Sequence, residues 1–389
     1  MTNPFLPDEK TRVIEGAGCL DQIGQLCLEL RAQRVLVISD PGVVAAGHAP
    51  RAMEYLAQSG LVCALFDEVQ ADPTTEDVDR GLIAAQDLMP DVFLAVGGGS
   101  AIDVAKGIAF LYAGGGRMQD YWGKGKAKGP MLPIVAVPTT AGTGSEMQSF
   151  ALITDPETHQ KMACGDAGAA PCLALLDPDL TLSMPGNVVA CTGLDTIGHA
   201  LESAVSTAAN ARSRAYSFEA FRIASQALLQ VFADPGNAEA RAAMLRAAAL
   251  AGLAIEHSML GAAHSLANPL SAHLDMPHGL AVGTVLPVVV EFNAKDAGTA
   301  EVYGDLAIFA GLAREGVSPR KACQALVVYL RDLLGRCGFS ETLPGLSKPQ
   351  PGIQLLAEEA AQQWTAQFNP RPVDAKALAS LLIRLMPAY

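Results

Sequence analysis

Paired cysteines, basic tracts and long apolar runs are all missing from this chain of 389 residues, and each absence removes a class of function. The eight cysteines stand at 19, 27, 63, 164, 172, 191, 323 and 337 and form no C-x-x-C pair, so neither a structural zinc knuckle nor a dithiol redox motif is signalled. Isolated cysteines of this kind behave as small buried apolar residues. Acidic residues outnumber basic ones 40 to 27, a net charge of -13, and only Lys124, Lys126 and Lys128 cluster, in a glycine loop. Nucleic acid is therefore not expected as a partner, because phosphate neutralisation needs grouped Lys and Arg. No apolar stretch is long enough to span a bilayer, and the first residues lack the basic-then-apolar order of a secretion signal. A soluble, cytoplasmic protein without membrane partners is the expectation. Half the residues are apolar, enough for two cores of ordinary size.

The first half alternates apolar runs with helical spacing. Arg34 to Asp40, Val62 to Glu68, Asp91 to Gly97 and Leu132 to Pro138 read as buried strands; Arg51 to Gly60 and Thr75 to Leu88 read as helices between them. That alternation predicts a mainly parallel sheet covered on both faces. The pattern changes near Pro185. Asn187 to about Phe232, Ala238 to Ala263, Ala300 to Cys337 and Pro351 to Tyr389 carry helical patterns. The expected organisation is an α/β dinucleotide-binding domain over 1-184 and an all-helical metal-binding and substrate domain over 185-389. No internal repeat is present, and Gly114 to Gly116 reads as a flexible turn.

Neither G-x-G-x-x-G nor the P-loop signature occurs. Instead Gly97, Gly98, Gly99 and Ser100 follow a predicted strand and open a predicted helix. Such glycines let backbone approach a pyrophosphate, and the helix start offers free N–H groups and a partial positive charge. Ser100 could equally serve as a plain helix cap. Asp40 ends the first clear strand. A carboxylate there can accept from a ribose 2′-hydroxyl and repel a 2′-phosphate, which favours NAD over NADP; its simpler role is a turn before Pro41. Pro138 to Glu146 is rich in small hydroxyl residues, among them Thr139, Thr140 and Thr143, which could line phosphates or a nicotinamide.

Histidine is scarce, at seven residues, yet His257, His264, His273 and His278 fall in one short window. Upstream, Asp195 and His199 are four apart, which sets them on one helical face. One carboxylate and up to three imidazoles suit a divalent transition metal such as iron(II) or zinc. A metal beside a dinucleotide points to metal-assisted hydride transfer, because a cation makes an alcohol more acidic and so readier to release hydride.

Four segments in order, Gly97 to Lys106, Pro138 to Glu146, Gly193 to Glu202 and His264 to Gly279, closed by Asn369-Pro370-Arg371-Pro372, resemble the iron-containing (group III) alcohol dehydrogenases over nearly the whole chain. The resemblance implies a Rossmann-like domain and an all-helical domain in a dehydroquinate synthase-like architecture. It implies NAD(P) and a divalent metal in the cleft between them, and a homodimer or larger. Carried over residue by residue, it makes Asp195, His199, His264 and His278 the metal ligands. It adds Asp103 and Lys161 to Asp40, Gly97 to Ser100, Thr139, Thr140 and Thr143 at the dinucleotide. The expected reaction joins a primary alcohol and its aldehyde.

Departures from the family pattern gather around the substrate. A histidine usual four residues after the third ligand is Asn268, which cannot titrate. Ile255 replaces a pocket phenylalanine, His257 an asparagine, and His273 a Phe or Gln. If one helix carried His257, His264 and Asn268 they would share a face, and His257 or His273 could relay the proton through water in place of the missing histidine. Two rival functions are a dehydroquinate-synthase-type lyase and a non-catalytic nucleotide-binding protein. The lyase would need Lys and Arg near the ligands, where the helical half has few.

Overall fold

The computed structural model describes Phe5 and residues 9–158, 160–343 and 352–386. The chain divides into two compact units, Met1–Met184 and Pro185–Tyr389.

In the first unit the strands are β1 (Arg12–Glu15), β2 (Arg34–Ile38), β3 (Val62–Phe66), β4 (Val92–Gly97), β5 (Gly123–Lys124), β6 (Ile134–Pro138), β7 (Phe150–Thr154), β8 (Lys161–Gly165) and β9 (Leu173–Leu176). The helices are α1 (Ile23–Glu29), α2 (Pro41–Ala45), α3 (His48–Gln58), α4 (Thr75–Leu88) and α5 (Gly99–Gly114). Six strands form one parallel sheet in the order β1-β9-β6-β4-β2-β3. The predicted parallel sheet is present, and its strands read as continuous apolar runs because both faces are covered. Alternate residues divide between two cores. Leu36, Ile38, Phe93, Ala95, Ile134 and Ala136 pack with Val104 and Ile108 of α5. Val35, Val37, Leu94, Val96, Val135 and Val137 pack with Ile23 and Leu56 on the other side. A smaller sheet, β5-β8-β7, joins β7 and β8 antiparallel.

Chain order explains where a ligand can sit. After β2 the chain steps outward to β3, then returns past β2 to β4 and continues through β6 to β9. The direction therefore reverses between β2 and β4. In open α/β sheets the crevice beyond the carboxyl ends of strands at such a reversal takes the ligand. Those ends here are Asp40 and Gly97 to Gly99.

The second unit is helical: α6 (Gly186–Val205), α7 (Ala211–Ala233), α8 (Ala238–Glu256), α9 (Ala262–Leu274), α10 (His278–Asn293), α11 (Ala297–Phe309), α12 (Pro319–Arg336), α13 (Ile353–Gln362) and α14 (Ala375–Ile383). The run expected from Asn187 to Phe232 breaks at 206–210, where Asn210 accepts from the backbone N–H groups of Arg212 and Ser213 and starts α7. The run expected to reach Ala263 ends at Glu256, and α9 begins afresh after Gly261. Tight helix contacts rely on glycine. A Cβ on Gly279 would lie 1.9 Å from the carbonyl oxygen of Cys191, so α10 meets α6 backbone to backbone. Among the described residues no helix is long and apolar enough to cross a membrane.

Candidate active site

The α6 face set by a four-residue spacing brings Asp195 and His199 together, both nearly buried. His264 arrives from the first turn of α9 and His278 from the first residue of α10. Oδ1 of Asp195 lies 3.5 Å from Nε2 of His199, 3.3 Å from Nε2 of His264 and 3.7 Å from Nε2 of His278. The His199 and His264 rings stack at 4.8 Å, and His278 is tilted 5.5 Å from His264. Donor atoms of Asp195, His199 and His264 all fall within 4.8 Å of one another. Ligands about 2.0–2.2 Å from one small cation would be separated by comparable distances, so the donor set fits a divalent metal. His278 is the outlying member, its side chain 35% exposed where those of Asp195 and His264 are 7% and 5%.

Electrostatics favour a cation at this point. Burial opposes charge on Asp195, but the three histidines hold its carboxyl well below the usual range. Burial also opposes charge on His264, yet hydrogen bonds to Asp195 and Glu202 raise its pKa to about 9. Glu202 is the residue that sequence reasoning left without a role. It is buried, on α6, and its Oε2 lies 2.7 Å from Nδ1 of His264. The signal was present, since Asp195, His199 and Glu202 are spaced four and three apart, the step of a single helical face.

The other candidates in this unit lie apart from the cluster or are otherwise engaged. His257 caps the C-terminus of α8, with its ring stacked on Tyr216 at 6.2 Å. The one-helix arrangement of His257, His264 and Asn268 is thus corrected, because Ser258 to Gly261 separates α8 from α9. His273 is on α9, nine residues past His264, about 13 Å along the axis. Its Nε2 pairs with Glu359 at 2.7 Å. Asn268, one turn past His264, donates to Gln363 at 2.9 Å.

In the first unit the glycine loop and the threonine loop press on each other. A Cβ on Gly98 would lie 3.3 Å from Oγ1 of Thr140, and one on Gly99 2.7 Å from Oγ1 of Thr143. The N–H of Thr139 donates to the Gly97 carbonyl, which fastens the loops at their base. The N-cap of α5 is Gly98, and no side chain caps it. Ser100 lies inside the helix, so its reading as the cap is corrected and the helix start stays open to an anion. Asp40 caps α2, its Oδ1 accepting from the Val43 N–H, while Oδ2 would be 3.4 Å from a Cβ on Gly97. Its turn role and its place beside the glycine loop therefore coexist.

Asp103 and Lys161 sit differently. Asp103 is buried, accepting from the Ser145 hydroxyl at 2.7 Å, the Leu152 N–H at 3.2 Å and Lys106 at 3.4 Å. Burial pushes its carboxyl up, against the pull of Lys106. Lys106, fully buried, also donates to the Ser145 and Phe150 carbonyls, both at 2.8 Å. This Asp–Lys pair holds the threonine loop from beneath. Lys161 pairs with Asp72 at 2.7 Å.

Residues 10–178 match the family described as iron-containing alcohol dehydrogenase, and residues 189–386 match the C-terminal part of the same family. This chain belongs to the iron-containing alcohol dehydrogenase family. The NAD-dependent methanol dehydrogenase of Bacillus methanolicus is 30% identical over 98% of this chain and 99% of its own length. The crystal structure of a 1,3-propanediol oxidoreductase superposes with a TM-score of 0.93 at 30% identity, covering 99% of this chain and 100% of that one. The sulfoacetaldehyde reductase of Bifidobacterium kashiwanohense, solved with NAD+, has a TM-score of 0.87 at 26% identity, covering 98% and 99%. As an iron-containing alcohol dehydrogenase the chain is an oxidoreductase. The lyase and the non-catalytic readings find no support among these relatives.

Proposed function

We propose that the chain catalyses NAD-dependent, metal-assisted hydride transfer between a primary alcohol and its aldehyde. The observation that carries this is the convergence of three imidazole Nε2 atoms on Oδ1 of Asp195. Asp195, His199, His264 and His278 would hold iron(II) or zinc, the donors being nitrogen and oxygen without thiolate. When bound, the metal supplies a Lewis acid that acidifies a hydroxyl or polarises a carbonyl, and NAD supplies the hydride acceptor. One carboxylate and three neutral imidazoles cancel only part of a divalent charge, so the ligand set preserves that acidity. The Pro185–Tyr389 unit is proposed as the metal and substrate domain, and Met1–Met184 as the dinucleotide domain.

Within Met1–Met184, Gly97, Gly98, Gly99 and Ser100 would receive the pyrophosphate on the open start of α5. Thr139, Thr140 and Thr143 would flank it. Asp40 would bind the ribose 2′-hydroxyl and exclude a 2′-phosphate. Asp103 acts from behind by holding Ser145 and the Leu152 N–H. Lys161, held by its pair with Asp72, would contribute a positive charge to the dinucleotide. The His257 ring, stacked on Tyr216, and the His273 ring, paired with Glu359, are engaged by other parts of the helical unit, which weighs against either as a proton relay. Free cysteines in place of disulfides favour a reducing compartment such as the cytoplasm, and the high apolar content together with the family resemblance favours a homodimer or larger.

The test is NADH formation with a panel of primary alcohols after loading with iron(II) and, separately, zinc. Turnover of at least one alcohol with one metal, absent from the metal-free protein, is expected. No turnover in either form, with metal shown to be bound, would sink the proposal. Light scattering at micromolar concentration checks the oligomer; a monomer refutes that part alone.

A further inference from the structure

Glu202 is a buried carboxylate that hydride transfer does not itself call upon. It is 2% exposed and lies seven residues after Asp195 on the same face of α6. Its carboxylate ends at the first turn of α9. Oε1 accepts from the Ala263 N–H at 2.6 Å. Oε2 accepts from the Gly261 N–H at 3.0 Å and the His264 N–H at 3.3 Å, and meets Nδ1 of His264 at 2.7 Å. Gly261 leaves room for this approach, since a Cβ there would stand 3.1 Å from Oε1 and 2.9 Å from Oδ1 of Asn369. One side chain therefore takes up three otherwise unpaired helix-start donors and one imidazole nitrogen.

We propose that Glu202 is a positioning residue for His264, fixing the start of α9 and the tautomer of the ring together, and so presenting Nε2 as a metal ligand. The inference rests on the proposed metal site. An ionised carboxylate only accepts, so at hydrogen-bond distance it keeps the proton of a neutral imidazole on Nδ1. The lone pair then belongs to Nε2, the atom that faces Asp195. The negative charge behind the ring also makes Nε2 a better donor to a cation. Asp195, His199 and Glu202 thus let one helix supply two ligands and the orientation of a third.

Glutamine cannot reproduce this arrangement. With its oxygen at the Oε2 position, its amide nitrogen confronts the Ala263 N–H. With the oxygen at Oε1, the amide nitrogen confronts the Gly261 N–H and drives the His264 proton onto Nε2, where it blocks a metal. A purely structural cap would behave otherwise, and Asn369 supplies the control. Its Oδ1 accepts from the Ala262 N–H at 3.2 Å, in the same helical turn, and no hydrogen bond joins it to the His264 ring.

The experiment compares zinc dissociation constants, by competition with a chromophoric chelator, for the full-length wild type, Glu202→Gln and Asn369→Ala, with the melting temperature of each metal-free protein. Expected are a loss of zinc affinity of about 10–100-fold in Glu202→Gln and a change of no more than about threefold in Asn369→Ala, although both are less heat-stable. Equal affinity in Glu202→Gln and wild type overturns the inference, and so does an equal loss in Asn369→Ala, which would reduce Glu202 to a helix cap. If wild type takes up no zinc or iron, the metal-site reading falls and this one with it. Should Glu202→Gln not fold, nitrogen NMR of zinc-loaded wild type decides. A protonated Nδ1 with metal on Nε2 of His264 supports the proposal, and metal on Nδ1 overturns it.

Discussion

Gly98 and Gly99 matter in the first unit for what they leave out, whereas Asp195, His199, His264 and His278 matter in the second for what they carry. The proposed dinucleotide site is made of backbone: an uncapped helix start, two loops in contact, and glycines whose Cβ would crowd Thr140 and strike Thr143. The proposed metal site is made of side chains held on three helices, with a buried carboxylate behind one of them. Sites of the first kind depend on space and respond to added bulk. Sites of the second kind depend on chemical identity and respond to the loss of a donor.

The largest expected effect removes a donor. His264→Ala should lose the metal ion, and with it alcohol turnover, while the dinucleotide still binds. Metal analysis beside NAD binding measures both, and an unchanged metal content would remove His264 from the ligand set. The converse variant adds bulk. Gly99→Val places side-chain carbons where Thr143 stands, and NAD affinity should fall at least about tenfold, equivalent to 1.4 kcal/mol, with metal content intact. If metal is lost as well, the two sites do not act independently.

A smaller change is expected from Asp40→Gly, which should relax the preference for NAD over NADP by about tenfold per 1.4 kcal/mol of lost repulsion. The ratio of kcat/KM for the two cofactors reads it directly, and a wild type that uses both equally well would refute the role of Asp40. The last concerns stability alone. Burial raises the Glu146 carboxyl from an ordinary 4.5 to about 7. Its proton favours the folded state at low pH, and that contribution is lost as pH rises from about 4.5 through about 7. Glu146→Gln should therefore match wild type near pH 4 and gain up to about 3 kcal/mol near pH 8. Urea unfolding at the two pH values tests this; parallel curves for both proteins would argue against a buried titrating carboxyl.

Legibility in the sequence followed the same division between backbone and side chain. β2, β3, β4 and β6 stood out because strands buried on both faces are unbroken apolar runs. β1 and β9 were missed, since four residues are too few to show a period, and β9 is hidden between Pro171 and Asp177. The antiparallel pair β7 and β8 was missed because its two five-residue strands follow one another with no helix between, outside the strand–helix alternation that marks the others. In the helical half, alanine-rich sequence gave faces but few ends, so the breaks after Val205 and Glu256 went unseen although Asn210 and Gly261 mark them. The glycine and threonine loops and the Asp195–His199 pair were visible as local spacing. Glu202 bonding to His264 joins residues 62 apart in the chain, and no local pattern reveals such a partner.

The backbone contact between Gly279 and Cys191 has a bearing on how this chain tolerates change. His278 precedes Gly279, and α10 can come as close to α6 as it does only because position 279 has no side chain. A single methyl group there would collide with a carbonyl that has nowhere to retreat within its own helix. The damage would appear in a metal assay, although the altered residue coordinates nothing. A survey that scored each position by its contact with ligand would rank Gly279 as neutral, while natural or laboratory variation would find it among the least forgiving sites in the chain.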